Sequence, residues 1–328
     1  MASESKTAVF AAIAGNFAIA VMKFTAAAFT GSSAMLSEGI HSLVDTGNGG
    51  LLLLGINRSK QPPDEMHPFG YGKELYFWAL IVAVLIFGVG GGISIYEGIM
   101  HLIHPVPLHD PTWNYVVLGL ALLFEGIVFV VALREFQALK KEEENIWQAI
   151  KSSKDPTTFT VLFEDSAAML GLIVAFVGVF LAHYFNNPYI DGAASIVIGA
   201  ILCTVAGFLV YESKGLLVGE GADPKMLEEI KTLLRAETGV KRVIKPLTMH
   251  FGPRTILLTV DIEFDKRLSA LEVEEAVDRL EKSIRQKFPD IKHIYIEAGA
   301  VSAVSRENVS QSQRKGDEEK FENAAQDN

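Results

Sequence analysis

The chain has 328 residues, a formal net charge of −10, 49% hydrophobic and 21% charged residues, and one cysteine. The acidic balance argues against nucleic acid as a partner. The lone Cys203 excludes an intrachain disulfide framework and a cysteine-based metal knuckle. A mean hydropathy of +0.27 alongside that many charges implies that the charges are segregated along the chain.

They are. A membrane helix needs about 20 mostly apolar residues. Six such stretches run in order: Thr7–Phe29, Ser33–Ile56, Leu75–Met100, Trp113–Leu133, Phe159–Phe185 and Ala193–Tyr211. The breaks are polar or rich in turn formers: "TGSS", "NRSKQPPDEMHPFGYGK", "HLIHPVPLHDP", a charged linker and "NNPYIDG". The first stretch, with Ala18–Ala20 as a cleavage-like triplet, is read as a membrane span rather than a signal peptide. Lys23 within it needs a carboxylate partner or a polar interior.

Basic residues orient the spans. With the N-terminus inside, the inner segments carry Lys6, Arg58, Lys60, Lys73, Arg134, Lys140, Lys141, Lys151, Lys154 and Lys214. The outer loops near Gly31, His104 and Asn187 carry no Lys or Arg. Both termini are therefore expected to be cytoplasmic, and the setting is read as a bacterial inner membrane.

Ionisable side chains at bilayer depth cost about 3 kcal/mol each on insertion scales, so they are candidates for function. The second span carries Glu38, His41 and Asp45, and the fifth carries the adjacent pair Glu164 and Asp165; Glu97, Glu125 and Asp191 are lesser cases. His41 and Asp45 are four residues apart and share a helix face, which Asn48 continues. At helical rise, Asp45 lies about 16 Å and Asp165 about 10 Å from the inner ends of their spans, so the two can meet near mid-membrane. One imidazole and two or more carboxylates suit a divalent cation. Zinc takes four ligands, whereas manganese and iron prefer more oxygen donors. The ligands must lose protons to bind, which couples the site to pH. His101, His104, His109 and Asp110 form a weaker patch on an outer loop.

After Gly221 the pattern reads helix, strand, strand, helix, strand. Asp223 and Pro224 open the first helix. "VIKPLTMHFG" and "TILLTVDIEF" flank a turn at Gly252-Pro253. Ser269 and Glu272 have capping-box spacing before a helix whose expected apolar face is Leu271, Val273, Ala276, Val277, Leu280 and Ile284. An antiparallel sheet with helices on one face fits this order.

"GSSAMLSEGIHSLVDTGN", "HPFGYGKE" and "EDSAAMLGL" together resemble the cation diffusion facilitator family of metal/proton antiporters. The resemblance runs from about Thr7 to Ala298. It implies an α-helical membrane protein: a six-span transmembrane bundle over residues 1–215 and a cytoplasmic α+β ferredoxin-like domain over 216–301; the polar, charge-rich composition from about Ser302 reads as a disordered polar tail over 302–328. It also implies a homodimer and a transport site with two ligands on the second span and two on the fifth. His41 and Asp45 match the first pair, and Asp165 matches the later member of the second. The position four residues before Asp165 is Val161, which has no donor atom. Glu164, then Asn48 or a water, are the replacements. A second family site lies in the loop after the second span; Asp64 and His67 match it, but Tyr71 stands third, so a structured turn is expected there instead. Regulatory zinc in the C-terminal domain is not expected, because His250, His293, Asp261, Glu263 and Glu297 are few and scattered.

The expected function is efflux of Zn2+ in exchange for protons across a lipid bilayer, with Mn2+, Fe2+, Co2+ or nickel as other cargo. A membrane-embedded metal sensor without transport is the alternative. An intramembrane metalloprotease is weakened by the absence of His-Glu-x-x-His.

Overall fold

The computed structural model describes residues 2–106, 110–139 and 154–298. His109, Lys140, Lys141, Lys151 and the tail from residue 302 lie outside them. The chain divides into two compact units with the main break between Glu220 and Gly221.

The first unit is helical: α1 (Ala2–Thr30), α2 (Ser33–Ser59), α3 (Glu74–Leu85), α4 (Ile93–Ile103), α5 (Thr112–Leu139), α6 (Pro156–Tyr184) and α7 (Tyr189–Val218). The α1–α2 turn is tight because Gly31 takes φ 73°, a conformation open to glycine, and Ser32 then caps α2 by accepting from the Met35 amide. Asp155 caps α6 in the same way, with Pro156 in the first turn. A π-helical turn, Ile86–Gly92, joins α3 to α4 into one span. Its run of glycines resists regular α-helix and lets the span lie close to α7, where Gly91 faces Gly199 and Gly98 faces Gly192.

Among the described residues, four stretches are long and apolar enough to cross a membrane: Glu74–Ile103, Thr112–Arg134, Phe159–Tyr184 and Tyr189–Val218. α2 has 27 residues but carries Glu38, His41, Asp45 and Asn48, which dilute its hydropathy. It nonetheless packs against five other helices, α1, α3, α4, α6 and α7. Apolar side chains such as Leu123, Ile127 and Phe180 point outward, as lipid contact requires.

The second unit is α+β: α8 (Pro224–Ala236), β1 (Val240–Val243), β2 (Leu247–Gly252), β3 (Thr255–Phe264), α9 (Ala270–Lys287) and β4 (Ile291–Ala298). Asp223 caps α8, and the Ser269–Glu272 capping box opens α9 as its spacing predicts. Alternate residues of β3, Ile256 to Phe264, are buried with Ile230, Leu234, Leu280 and Ile284. Two expectations change. β4 pairs with β3 in parallel, Ile256 opposite Ile291 and Asp261 opposite Glu297, so the sheet is mixed. The α9 crossover carries the chain back to the starting end of β3, which makes the next strand parallel. Leu271 is 64% exposed; nine residues from Leu280, it falls on the opposite side of a helix with 3.6 residues per turn.

Candidate transport site

The site is built on α2. Its buried face runs Glu38, His41, Ser42, Asn48 and Leu52. His41 Nε2 lies 3.5 Å from Asp45 Oδ2, as expected for residues one turn apart. The His41 side chain is 2% exposed, and neither ring nitrogen has a hydrogen-bond partner. Asp45 Oδ1 and Asn48 Oδ1 are also buried without partners. Such a row of unsatisfied polar atoms is costly inside a membrane protein and marks a place built for a ligand.

α6 faces this row. Asn48 donates its amide to Glu164 Oε1 at 2.8 Å, joining α2 to α6. Asp165 leaves Oδ2 buried and unpartnered and lies within electrostatic reach of Asp45. Val161, the fifth-span position without a donor atom, is 39% exposed. The buried positions one turn apart are Thr160 and Glu164. Thr160 Oγ1 has no partner. Its burial was not signalled by residue type, although its spacing from Glu164 was readable.

A third helix enters from the other side. Lys23 of α1 is fully buried and spends its ammonium protons on Glu38 Oε2 (3.0 Å), Ser42 Oγ (2.8 Å) and Glu125 Oε1 (3.0 Å). The partner that Lys23 required is thus two carboxylates, and Glu125, solitary in the sequence, is paired. Glu38 is seated close to α6 because residue 171 is glycine: a Cβ there would collide with Glu38 Oε1. Among the described residues, no three His, Cys, Asp or Glu side chains are drawn together tightly enough to hold a metal ion as they stand.

Of the remaining acidic candidates Glu97 is half-buried on α4, and the others have structural work. Asp191 at the start of α7 accepts from Ser32 Oγ, from the Ser33 amide and hydroxyl, and from the Ala34 amide, so it caps α2 from a neighbouring helix. Asp110 caps α5 through Thr112. His101 is buried 3.9 Å from Asp191 while His104 is exposed, so the described members of the outer histidine patch do not gather. In the loop after α2, Asp64 accepts from the Tyr71 hydroxyl (2.6 Å) and the His67 amide (2.6 Å). These bonds hold its carboxyl below the usual range, and the segment is an ordered turn. In the second unit, Glu263 is paired with Lys241 at 2.8 Å.

Residues 9–218 match the transmembrane domain of cation efflux proteins, and residues 222–298 match their cytoplasmic domain. The chain belongs to the cation efflux family. Within this family it is 32% identical to the mouse (Mus musculus) proton-coupled zinc antiporter SLC30A9, mitochondrial, over 88% of this chain and 58% of that protein. The chain therefore spans little more than half the length of that relative. It is 31% identical to metal tolerance protein C4 of Arabidopsis thaliana, over 90% of this chain and 74% of the relative. It is 24% identical to the manganese efflux system protein MneP of Bacillus subtilis (strain 168), over 90% of this chain and 97% of the relative. For a cation efflux protein, the departure at Val161 and the buried Lys23 pair with two acids are the features of the site that need explaining.

Proposed function

We propose that this chain exports a divalent metal cation, zinc first, across a membrane in exchange for protons. His41, Asp45 and Asp165 bind the ion, with Glu164 or Asn48 assisting. The observation that carries this reading is His41: a buried imidazole with both nitrogens unpartnered, one turn from a carboxylate. A neutral imidazole and ionised carboxylates are the forms that bind metal, so protons arriving from the far side compete for the same lone pairs and release it. Rearrangement of the helices around that fixed point would expose it alternately to each face. The names of the mouse and Bacillus relatives, a zinc antiporter and a manganese efflux protein, support a divalent cargo. The imidazole favours zinc. The family is one of transporters, and no enzymatic step is assigned.

The proposal includes a transmembrane domain over residues 1–215, a cytoplasmic domain over 216–301 and a polar tail over 302–328, assembled as a homodimer. Both termini are assigned to the cytoplasmic side of a bacterial inner membrane, on the basic residues between spans. The mouse relative is named as mitochondrial, and a fluorescent fusion expressed in a bacterial and a eukaryotic host discriminates the two settings.

The test is zinc flux into proteoliposomes under an imposed pH gradient. Flux driven by the gradient and lost in Asp45→Ala and Asp165→Ala is expected. Zinc binding without flux would favour the sensor reading instead.

A further inference from the structure

The proposed ion site lacks a donor where Val161 stands, and the transport reading leaves a ligand to be found. The replacement must be buried, must have a free lone pair, and must lie near both Asp45 and Asp165. Val161 fails on chemistry and on exposure. Glu164 meets the first condition, but its Oε1 accepts from Asn48 and its other oxygen is not among the buried atoms left without a partner.

Glu125 of α5 meets all three. Its side chain is 15% exposed. One oxygen is held by Lys23, while Oε2 is buried and has no partner. It is an electrostatic neighbour of Asp45 and of Asp165. Lys23, which holds it, also bonds Ser42 of α2, and on that helix His41 presents two unpartnered nitrogens from a side chain 2% exposed. Lys23 is the only buried Lys or Arg among the described residues. Its ammonium has three donors and three acceptors in place, so it is a fixed tether rather than a mobile charge.

Building on the transport reading, we propose that Glu125 is a direct ligand of the transported cation, supplied from α5 in place of the missing position at 161, with Lys23 as the positioning residue that holds its other oxygen. The donor set is then one imidazole and three carboxylates from three helices: His41 and Asp45 of α2, Asp165 of α6 and Glu125 of α5. Four such donors satisfy zinc. The oxygen-rich set also suits a harder divalent ion such as manganese. A carboxylate gripped at one oxygen by Lys23 keeps the other open to an ion.

The full chain in detergent tests this with Zn2+ affinity and with the visible spectrum of bound Co2+, in wild type, Asp45→Ala and Glu125→Gln. Glutamine keeps the shape and can still accept from Lys23. Glu125→Gln is expected to weaken Zn2+ binding by at least the about 10- to 100-fold that outer partners of metal ligands are worth, and to shift the Co2+ bands. In a Lys23→Met background, a ligand still matters, so Glu125→Gln weakens binding again; a residue acting only through Lys23 would have no further effect. If Lys23→Met does not fold, the Co2+ spectrum of Glu125→Gln decides alone. Loss of binding in Asp45→Ala with Glu125→Gln unchanged in affinity and spectrum overturns the Glu125 assignment only. Unchanged binding in Asp45→Ala overturns the site itself.

Discussion

Asn48 and Glu164 are joined by a 2.8 Å hydrogen bond that crosses from α2 to α6, with both side chains buried. The bond has two separable consequences. Asn48→Leu removes the donor and leaves a buried carboxylate unpaired, at a cost of about 3 kcal/mol. Glu164→Gln keeps an acceptor for Asn48 and is expected to melt near the wild-type temperature while binding zinc more weakly. Thermal unfolding in detergent, beside zinc titration, checks both. A Glu164→Gln protein that binds zinc as wild type does would leave Glu164 no assisting part in zinc binding.

The His41–Asp45 pair was legible because helical period alone places residues four apart on one face. The apolar runs exposed the bundle for the same reason: length and composition suffice. Lys23 and Glu125 are 102 residues apart, and no local pattern joins them. What the sequence offered was the need for a partner, since a bare ammonium in lipid is too costly. The buried face of α6 was only partly legible. Resemblance weights Val161 and Asp165, whereas packing against α2 and α7 buries Thr160 and Glu164. The parallel pairing of β4 with β3 is set by the α9 crossover, a tertiary relation that the residue pattern of a strand does not encode.

Asp191 closes the N-terminal end of α2, where amides of the first turn have no helical acceptors. Its carboxylate gathers the Ser33 and Ala34 amides and two serine hydroxyls, and Ser195 adds a bond to Ser33 at 2.9 Å. Charge at that position also complements the helix dipole. Asp191→Ala is expected to destabilise the fold by about 2 kcal/mol while leaving the zinc affinity of the folded fraction intact. Zinc titration of protein that has survived size exclusion tests this. A fall in affinity that outruns the fall in stability would give Asp191 a role in binding.

Close approach of α4 and α7 depends on Gly98. A Cβ there would lie 2.7 Å from the Gly192 carbonyl oxygen and 2.7 Å from Ile196 Cγ1, so the helices must separate. Gly98→Ala is expected to cost about 1–3 kcal/mol as overpacking does. Gly207 on α7 has nothing within 4 Å of the same position, and Gly207→Ala is expected to stabilise by about 0.5–1 kcal/mol through helix propensity. Opposite signs for two glycine-to-alanine changes on the same helix pair, read from melting curves, distinguish packing from propensity. Equal effects would contradict the packing.

The loop after α2 carries the last prediction. Tyr71 stands where the family resemblance implies a histidine, and its hydroxyl is spent on Asp64. The His67 and Tyr71 rings lie 4.1 Å apart, so the three side chains already share one place. Because the bonds from Tyr71 and the His67 amide lower the Asp64 pKa in the folded chain, their contribution is complete above the ordinary aspartate value of about 3.9. It disappears as pH falls through the depressed value. Tyr71→Phe removes the stronger of the two causes and is expected to move the Asp64 carboxyl upward, as carboxyl chemical shifts against pH would record. Tyr71→His instead exchanges a hydrogen-bond donor for a metal donor beside Asp64 and His67. That variant is expected to bind one more zinc ion per chain than wild type, the gain disappearing on Asp64→Ala, because an imidazole pair and a carboxylate supply three of the four ligands zinc requires. Unchanged stoichiometry would mean that the turn fixes His67 and residue 71 in a geometry that only hydrogen bonding can use.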